Sequence, residues 1–162
     1  MEANGYKFFA AAGTPSDIFT LMSSLGVNAI RLRVWVNPAD GWYNSAQDVV
    51  AKAKRAKAQG QRVMIDFHYS DNWADPGKQN KPAAWAKHSF PELLTDVYQH
   101  TYDVLQLLKK AGVTPEWVQV GNETNNGMLW PEGRAATSMS NYAQLVNAGY
   151  DAVKAVFASA KV

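Results

Sequence analysis

Three glycines, Gly26, Gly60 and Gly112, each close a stretch with helical spacing and each stand shortly before a run rich in β-branched residues. Few folds accept a chain that repeats helix, glycine and strand in this way. Glycine takes the left-handed backbone that a helix stop often needs. Regular alternation of helix and strand argues for parallel strands joined by right-handed crossovers. The strand at Trp117-Val118-Gln119-Val120 is the most informative of the three, because Gly121 breaks it and Asn122-Glu123 stands at its C-terminal end. In a barrel, that end is where loops gather residues from several strands. An amide beside a carboxyl group there suggests a hydroxyl-binding group next to a proton donor; the plain alternative is the polar start of a loop.

In chain order, Met1 to Pro15 reads as irregular, with turn signals at Asn4-Gly5 and Gly13-Thr14-Pro15. Thr14 or Ser16 is the expected cap of a helix over Asp17–Leu25, whose Ile18, Leu21, Met22 and Leu25 share one face. A strand is predicted over Asn28–Val36, ended by a turn at Asn37-Pro38-Ala39-Asp40-Gly41. A helix over Ala46–Gln59 follows, then a strand over Arg62–Tyr69 and a long polar-aromatic loop from Ser70 to Phe90. Pro91 suits the first turn of a helix running to Ala111. After the Trp117 strand come a second loop, Thr124 to Ser138, and a last helix over Tyr142–Ala158. No Gly-x-Gly-x-x-Gly follows any strand, which weakens a dinucleotide-binding fold. Long post-strand loops rich in Trp, Asp and Asn suit the rim of a (β/α) barrel instead.

The balance of 16 basic and 14 acidic residues leaves a net charge of +2 with no basic face beyond one helix, whose Lys52, Lys54, Arg55 and Lys57 read as a solvated face, a poor basis for nucleic-acid binding. Absence of cysteine excludes disulfides and thiolate metal sites. No apolar run reaches the length of a membrane span, and no signal peptide is visible at the start. Six Trp and seven Tyr supply many rings, which sugar sites use for packing flat sugar faces.

Alternation along a strand places every second residue on one face. Arg31 and Arg33 then share a face, as do Asp66 and His68, and Gln119 and Glu123 through Gly121. Such groups are costly in a core unless they pair or meet solvent at a site. The bland reading is an Arg31–Asp66 salt bridge. The functional reading is a constellation of Arg31, His68 and Glu123 at one rim.

Four blocks carry a specific resemblance: Arg31-Leu-Arg-Val-Trp-Val-Asn-Pro-Ala-Asp-Gly41, Ile65-Asp-Phe-His-Tyr-Ser-Asp-Asn-Trp-Ala-Asp-Pro76, Val118-Gln-Val-Gly-Asn-Glu123 and Gly127-Met-Leu-Trp-Pro131. In order and length they resemble the family 53 glycoside hydrolases, the endo-β-1,4-galactanases acting on arabinogalactan, and the resemblance runs over nearly the whole chain. It implies an α/β fold, a partial (β/α)8 TIM barrel comprising about strands two to four and helices one to four. Residues 1–162 would be the N-terminal half of the catalytic domain, with the first strand before Met1 and strands five to eight after Val162.

By the same resemblance Glu123 is the general acid/base and Asn122 the group that binds the sugar 2-hydroxyl. Arg31 matches the second-strand arginine, His68 the third-strand histidine near the nucleophile, and Trp73 a tryptophan that forms a sugar platform. Trp130 is either another wall of the site or a loop anchor. Asp66, with Arg33 beside it, is a network partner rather than a catalyst, and Asp71 and Asp75 either bind sugar hydroxyls or shape their loop, with shaping favoured. The implied reaction is retaining hydrolysis, in which an acid protonates the leaving oxygen while a second carboxylate, about 5–5.5 Å away, attacks the anomeric carbon. That second carboxylate is expected in the half after Val162, and no cofactor or metal is required. The expected partner is β-1,4-galactan or its oligosaccharides, and the expected location of a whole family member is extracellular, cell-surface or periplasmic. Self-association through the open half-barrel is also expected. Two rivals remain: a metal-dependent hydrolase built on Asp66-x-His68, weakened because His88 and His100 fall on a loop and a helix, and a galactan-binding segment without catalysis.

Overall fold

The computed structural model describes residues 5–39 and 43–162; the expected turn residues Asp40 and Gly41, and the N-terminal Met1 to Asn4, lie outside them. Hydrophobic alternation in three runs produces three parallel strands, β3 (Ala29–Val34), β4 (Arg62–Phe67) and β5 (Trp117–Val120), in the order β3-β4-β5. Ahead of them, β1 (Phe8–Phe9) and β2 (Pro15–Ser16) form a short antiparallel hairpin and α1 spans Ile18–Ser24. Each sheet strand is followed by its helix: α2 (Ala46–Ala58), α3 (Phe90–Lys110) and α4 (Met139–Val156). Gly26, Gly60 and Gly112 carry φ of 86°, 71° and 72° just beyond α1, α2 and α3, so the helix stops fall where glycine marks them.

Several boundaries differ from the sequence reading, each for a local reason. The region before Pro15 is not wholly irregular, since Phe8 pairs with Ser16 and Phe9 with Pro15. That pairing occupies Ser16, and the cap of α1 is Asp17, whose carboxylate accepts from the Phe19 and Thr20 amides and also pairs with Arg55. α4 begins at Met139, three residues ahead of Tyr142, and Ser138 caps it by accepting from the Asn141 amide. β4 stops at Phe67 rather than Tyr69. His68 still donates its amide to Val34, but Tyr69 has φ 48°, which no strand sustains.

One face of the sheet packs on the helices. Leu32, Val34, Val63, Ile65, Phe67 and Val118 are buried there, against Val49, Ala53 and Ala56 of α2 and Leu93, Val97, Val104, Leu105 and Leu108 of α3. Burying one such large aliphatic side chain contributes about 1.5–3 kcal/mol, so these contacts fix how the strands lie. α4 comes so close to β5 and the end of β4 that a Cβ on Gly149 would stand 2.5 Å from a Val120 methyl and 2.9 Å from the Tyr69 hydroxyl. The opposite face carries Arg31, Arg33, Met64, Asp66, Trp117 and Gln119, in the register Arg31↔Met64↔Trp117 and Arg33↔Asp66↔Gln119.

The end of β4 is held from behind by α3. Tyr69 is fully buried, stacks on Phe67 at 5.6 Å and hydrogen-bonds Thr101 at 2.8 Å; burial raises its pKa well above the usual phenol range. Next to Thr101 in the chain, His100 sets its ring edge-on to Phe67, Tyr69 and Trp85, and its Nε2 has no hydrogen-bond partner among the described residues. Burial pushes its pKa down to about 4, against the smaller opposing pull of Asp103 and Asp71. The folded state therefore keeps this imidazole neutral where the unfolded chain binds a proton. The contribution of His100 to stability is full above the unfolded value of about 6.5 and is lost as the pH falls towards 4, by up to about 3 kcal/mol. Urea unfolding between pH 7 and pH 4 should show this slope, and His100→Gln should flatten it. An unchanged slope would assign the acid sensitivity to another group.

Candidate active site

The polar face gathers around Asp66, which is 0% exposed in its side chain. Its Oδ2 accepts from Arg31 Nη2 at 2.8 Å and from His68 Nε2 at 3.0 Å. A carboxylate removed from water in this way survives as an anion only with such donors, since desolvation of a lone buried charge costs several kcal/mol. Its Oδ1 has no hydrogen-bond partner among the described residues. Arg31 lies two residues before Arg33, the register partner of Asp66, and its long side chain reaches across the sheet. The same Nη2 donates to Asn122 Oδ1 at 2.7 Å and, more weakly, to Gln119 Oε1 at 3.3 Å. Asn122, 4% exposed, completes the link by donating from Nδ2 to the Ala74 carbonyl at 2.7 Å.

His68 is buried and both its ring nitrogens are engaged. Nδ1 accepts from the Ala74 amide at 3.1 Å, which leaves the proton on Nε2 to be donated to Asp66. It ties β4 to the loop that follows. Among the described residues no three His, Asp or Glu side chains stand together as a metal could use them.

Over this buried layer lies an aromatic and cationic one. Trp73, 49% exposed, meets His68 and Trp35 edge-on at 5.6 and 6.2 Å. The Arg33 guanidinium lies 3.9 Å from its ring centroid and covers one face. Burial lowers the pKa of Arg33; Asp66 opposes this and the like charge of Arg31 adds to it. The cluster therefore holds two guanidinium groups against one carboxylate.

Asp71 and Asp75 are spent on the loop. Asp71 accepts from the amides of Asn37 (2.9 Å) and Ala83 (2.8 Å), and Asp75 accepts from Gly77 (2.9 Å) inside a tight turn closed with Lys78. Trp130 is half-buried, donates from Nε1 to the Asn126 carbonyl at 2.9 Å and lies under Arg134, 4.7 Å from its centroid. Its amide donates to the Gln79 carbonyl at 2.8 Å, and Lys81 pairs with Glu132 at 2.8 Å, so the loops after β4 and β5 are joined.

Glu123 is exposed at the end of β5, and among the described residues nothing hydrogen-bonds its carboxylate. The alternation argument does not carry to it. Gly121 has φ 87°, which breaks the two-residue period, so Asn122 rather than Glu123 joins Gln119 on Arg31. Glu123 itself has φ 49°. The network also contains a residue with no sequence signal: Gln79, 2% exposed, donates from Nε2 to the carbonyls of Asn122 (2.8 Å), Asp75 (3.1 Å) and Glu123 (3.4 Å). A glutamine in a polar loop has nothing in its spacing that distinguishes it.

Comparison with known proteins gives this arrangement its context. The model of glycosyl hydrolase family 53 matches residues 1–162. An arabinogalactan endo-beta-1,4-galactanase of Thermothelomyces thermophilus is 42% identical over 153 residues, covering 94% of this chain and 45% of that protein. The endo-beta-1,4-galactanase of Bacillus subtilis (strain 168) is 40% identical over 161 residues, covering 95% of this chain and 36% of that one. A solved structure of a fungal beta-1,4-galactanase superposes with a TM-score of 0.91 at 40% identity, over 99% of this chain and 47% of that one. The chain thus spans less than half the length of the relatives it matches, and its three strand-helix units are a part of their (β/α)8 barrel. Matched along its whole length at about this level of identity, the chain belongs to glycosyl hydrolase family 53.

Proposed function

We propose that these residues form the N-terminal half of the catalytic domain of an endo-β-1,4-galactanase, with Glu123 as the acid/base of a retaining reaction. The observation that carries the proposal is the contrast at the end of β5: Asn122 is buried and clamped by Arg31 and the Ala74 carbonyl, while the adjacent Glu123 carboxylate stands exposed. A proton donor needs access to the leaving oxygen, and a group that reads a sugar hydroxyl needs a fixed orientation. Asn122 keeps one amide hydrogen and one lone pair beyond its two protein contacts, enough to meet a 2-hydroxyl.

In the first step Glu123 gives its proton to the glycosidic oxygen as a second carboxylate attacks the anomeric carbon, so the bond to the leaving sugar breaks and a glycosyl-enzyme forms. In the second step Glu123 takes a proton from water, whose oxygen attacks the same carbon and releases the carboxylate. The surplus cation of the Arg31–Arg33–Asp66 cluster favours an anion over this face, which suits an incoming carboxylate. Arg31 and, through Asp66, His68 would orient that carboxylate. Trp73 offers a half-exposed ring as a sugar platform, and Trp130 a second wall over the joined loops. A polysaccharide substrate places the whole enzyme outside the cell or at its surface. The edge of β3, and that of β5 beyond its short parallel bridge with Lys161, would be closed by the remainder of the barrel, or by self-association where that is lacking.

In the complete barrel, Glu123→Gln should lower kcat on galactan by about 10²–10⁴-fold, the usual contribution of a general acid, and should spare the first step on an aryl galactoside with a good leaving group. Equal losses in that step on both substrates would remove the acid role. Trp73→Ala should raise KM for galactan about tenfold, or roughly 1.4 kcal/mol, at a cost in stability of only about 1 kcal/mol from the lost Arg33 contact. A large drop in melting temperature with unchanged KM would make Trp73 a packing residue. Residues 1–162 alone should release no galacto-oligosaccharides above background, because the second carboxylate of the mechanism is assigned outside them. Steady reducing-end release that vanishes with Glu123→Ala would place both carboxylates within this chain or a pair of its copies. Binding of galactan without release would identify the alternative, a non-catalytic binding segment.

A further inference from the structure

We propose that Gln79 is a positioning residue for the acid/base: its side-chain amide holds the backbone at Asn122-Glu123 in the conformation that aims the Glu123 carboxylate. The proposal rests on the assignment of Glu123 as acid/base. Gln79 is 2% exposed and its Nε2 is taken up by main-chain carbonyls, so any effect on the reaction must pass through what it holds. What it holds is specific. One Nε2 group is directed at the carbonyls of Asn122 (2.8 Å), Asp75 (3.1 Å) and Glu123 (3.4 Å). An amide nitrogen has two hydrogens. One serves Asp75, on the Gln79 side of the site, and the other is shared between the two peptide carbonyls of the site pair.

This peptide needs holding. Gly121 and Glu123 both lie in the left-handed region, at φ 87° and 49°, with Asn122 between them. A glutamate gains nothing intrinsic from that region, because its Cβ crowds the following carbonyl there. Such backbone persists where surrounding contacts over-determine it. The Asn122 side chain is fixed by Arg31 and Ala74, but those contacts leave the following peptide free to turn. Gln79 supplies the contact on the carbonyls themselves. Its own backbone is anchored in turn, since its carbonyl accepts from the Trp130 amide and Asn80 bridges to Trp130. The aim of Glu123 is thereby coupled to the joined loops rather than to the sheet alone.

The test uses the complete galactanase with Gln79→Met, which keeps length and loses the donors, and Gln79→Glu, which keeps shape and sets an acceptor against the carbonyls. Galactan and an aryl β-galactobioside with a good leaving group are compared for each, reading the glycosylation step on both. Mispositioning of the proton donor should cut kcat on galactan at least about tenfold, within the range a general acid controls, with KM nearly unchanged and the aryl substrate much less affected. In the Glu123→Gln background the Gln79→Met loss on galactan should largely disappear, as expected for two residues acting as one unit. Equal losses on both substrates, or full additivity with Glu123→Gln, would overturn the proposal and leave Gln79 a fold residue; failure of both variants to fold would do the same. If Glu123→Gln itself shows no leaving-group dependence, it is the acid/base assignment that fails, and this proposal with it. If Glu123→Gln shows the dependence and neither Gln79 variant does, only the role of Gln79 is lost.

Discussion

A single buried carboxylate organises the polar face of this sheet. Asp66 lies on the middle strand, in register with Arg33 and Gln119, and draws Arg31 from one neighbour and His68 from its own strand end. Breaking such a cluster by removing one partner costs about 3–5 kcal/mol, because the charge left behind stays buried. The cost enforces geometry. Arg31 bent towards Asp66 is also the donor that fixes Asn122, and His68 turned towards Asp66 is also the acceptor that fixes Ala74. Since Ala74 in turn accepts from Asn122, three loop and strand ends close into one ring of hydrogen bonds.

How legible this was in the sequence depended on the range of the interaction. The alternation of helix and strand was readable because glycine stops and β-branched runs are local, and Gly60 and Gly112 fall where α2 and α3 end. The Arg31–Asp66 contact was readable from residue type and parity. Local competition was not: Asp17 displaces Ser16 as a cap because Ser16 is paired with Phe8, a partner eight residues away. Parity also failed at Gly121, where one left-handed residue exchanged the places of Asn122 and Glu123 relative to Gln119. Least legible of all was Gln79, whose place depends on three carbonyls from two separate loops.

The two strand ends that build the site share a device. Tyr69 after β4 and Glu123 after β5 both adopt positive φ, 48° and 49°, a conformation that costs about 1–2 kcal/mol for a residue with a Cβ. The surroundings offset that cost in opposite ways. Tyr69 turns its ring into the helix side, where it is fully buried, stacked on Phe67 and bonded to Thr101. Glu123 turns outward with nothing on its carboxylate, so the restraint must come from its main chain. The same backbone turn thus locks β4 to α3 on one strand and presents an acid on the next. An exposed carboxylate aimed by its backbone keeps all its oxygens free for a proton and a sugar, whereas one aimed by side-chain donors would arrive at the reaction already occupied.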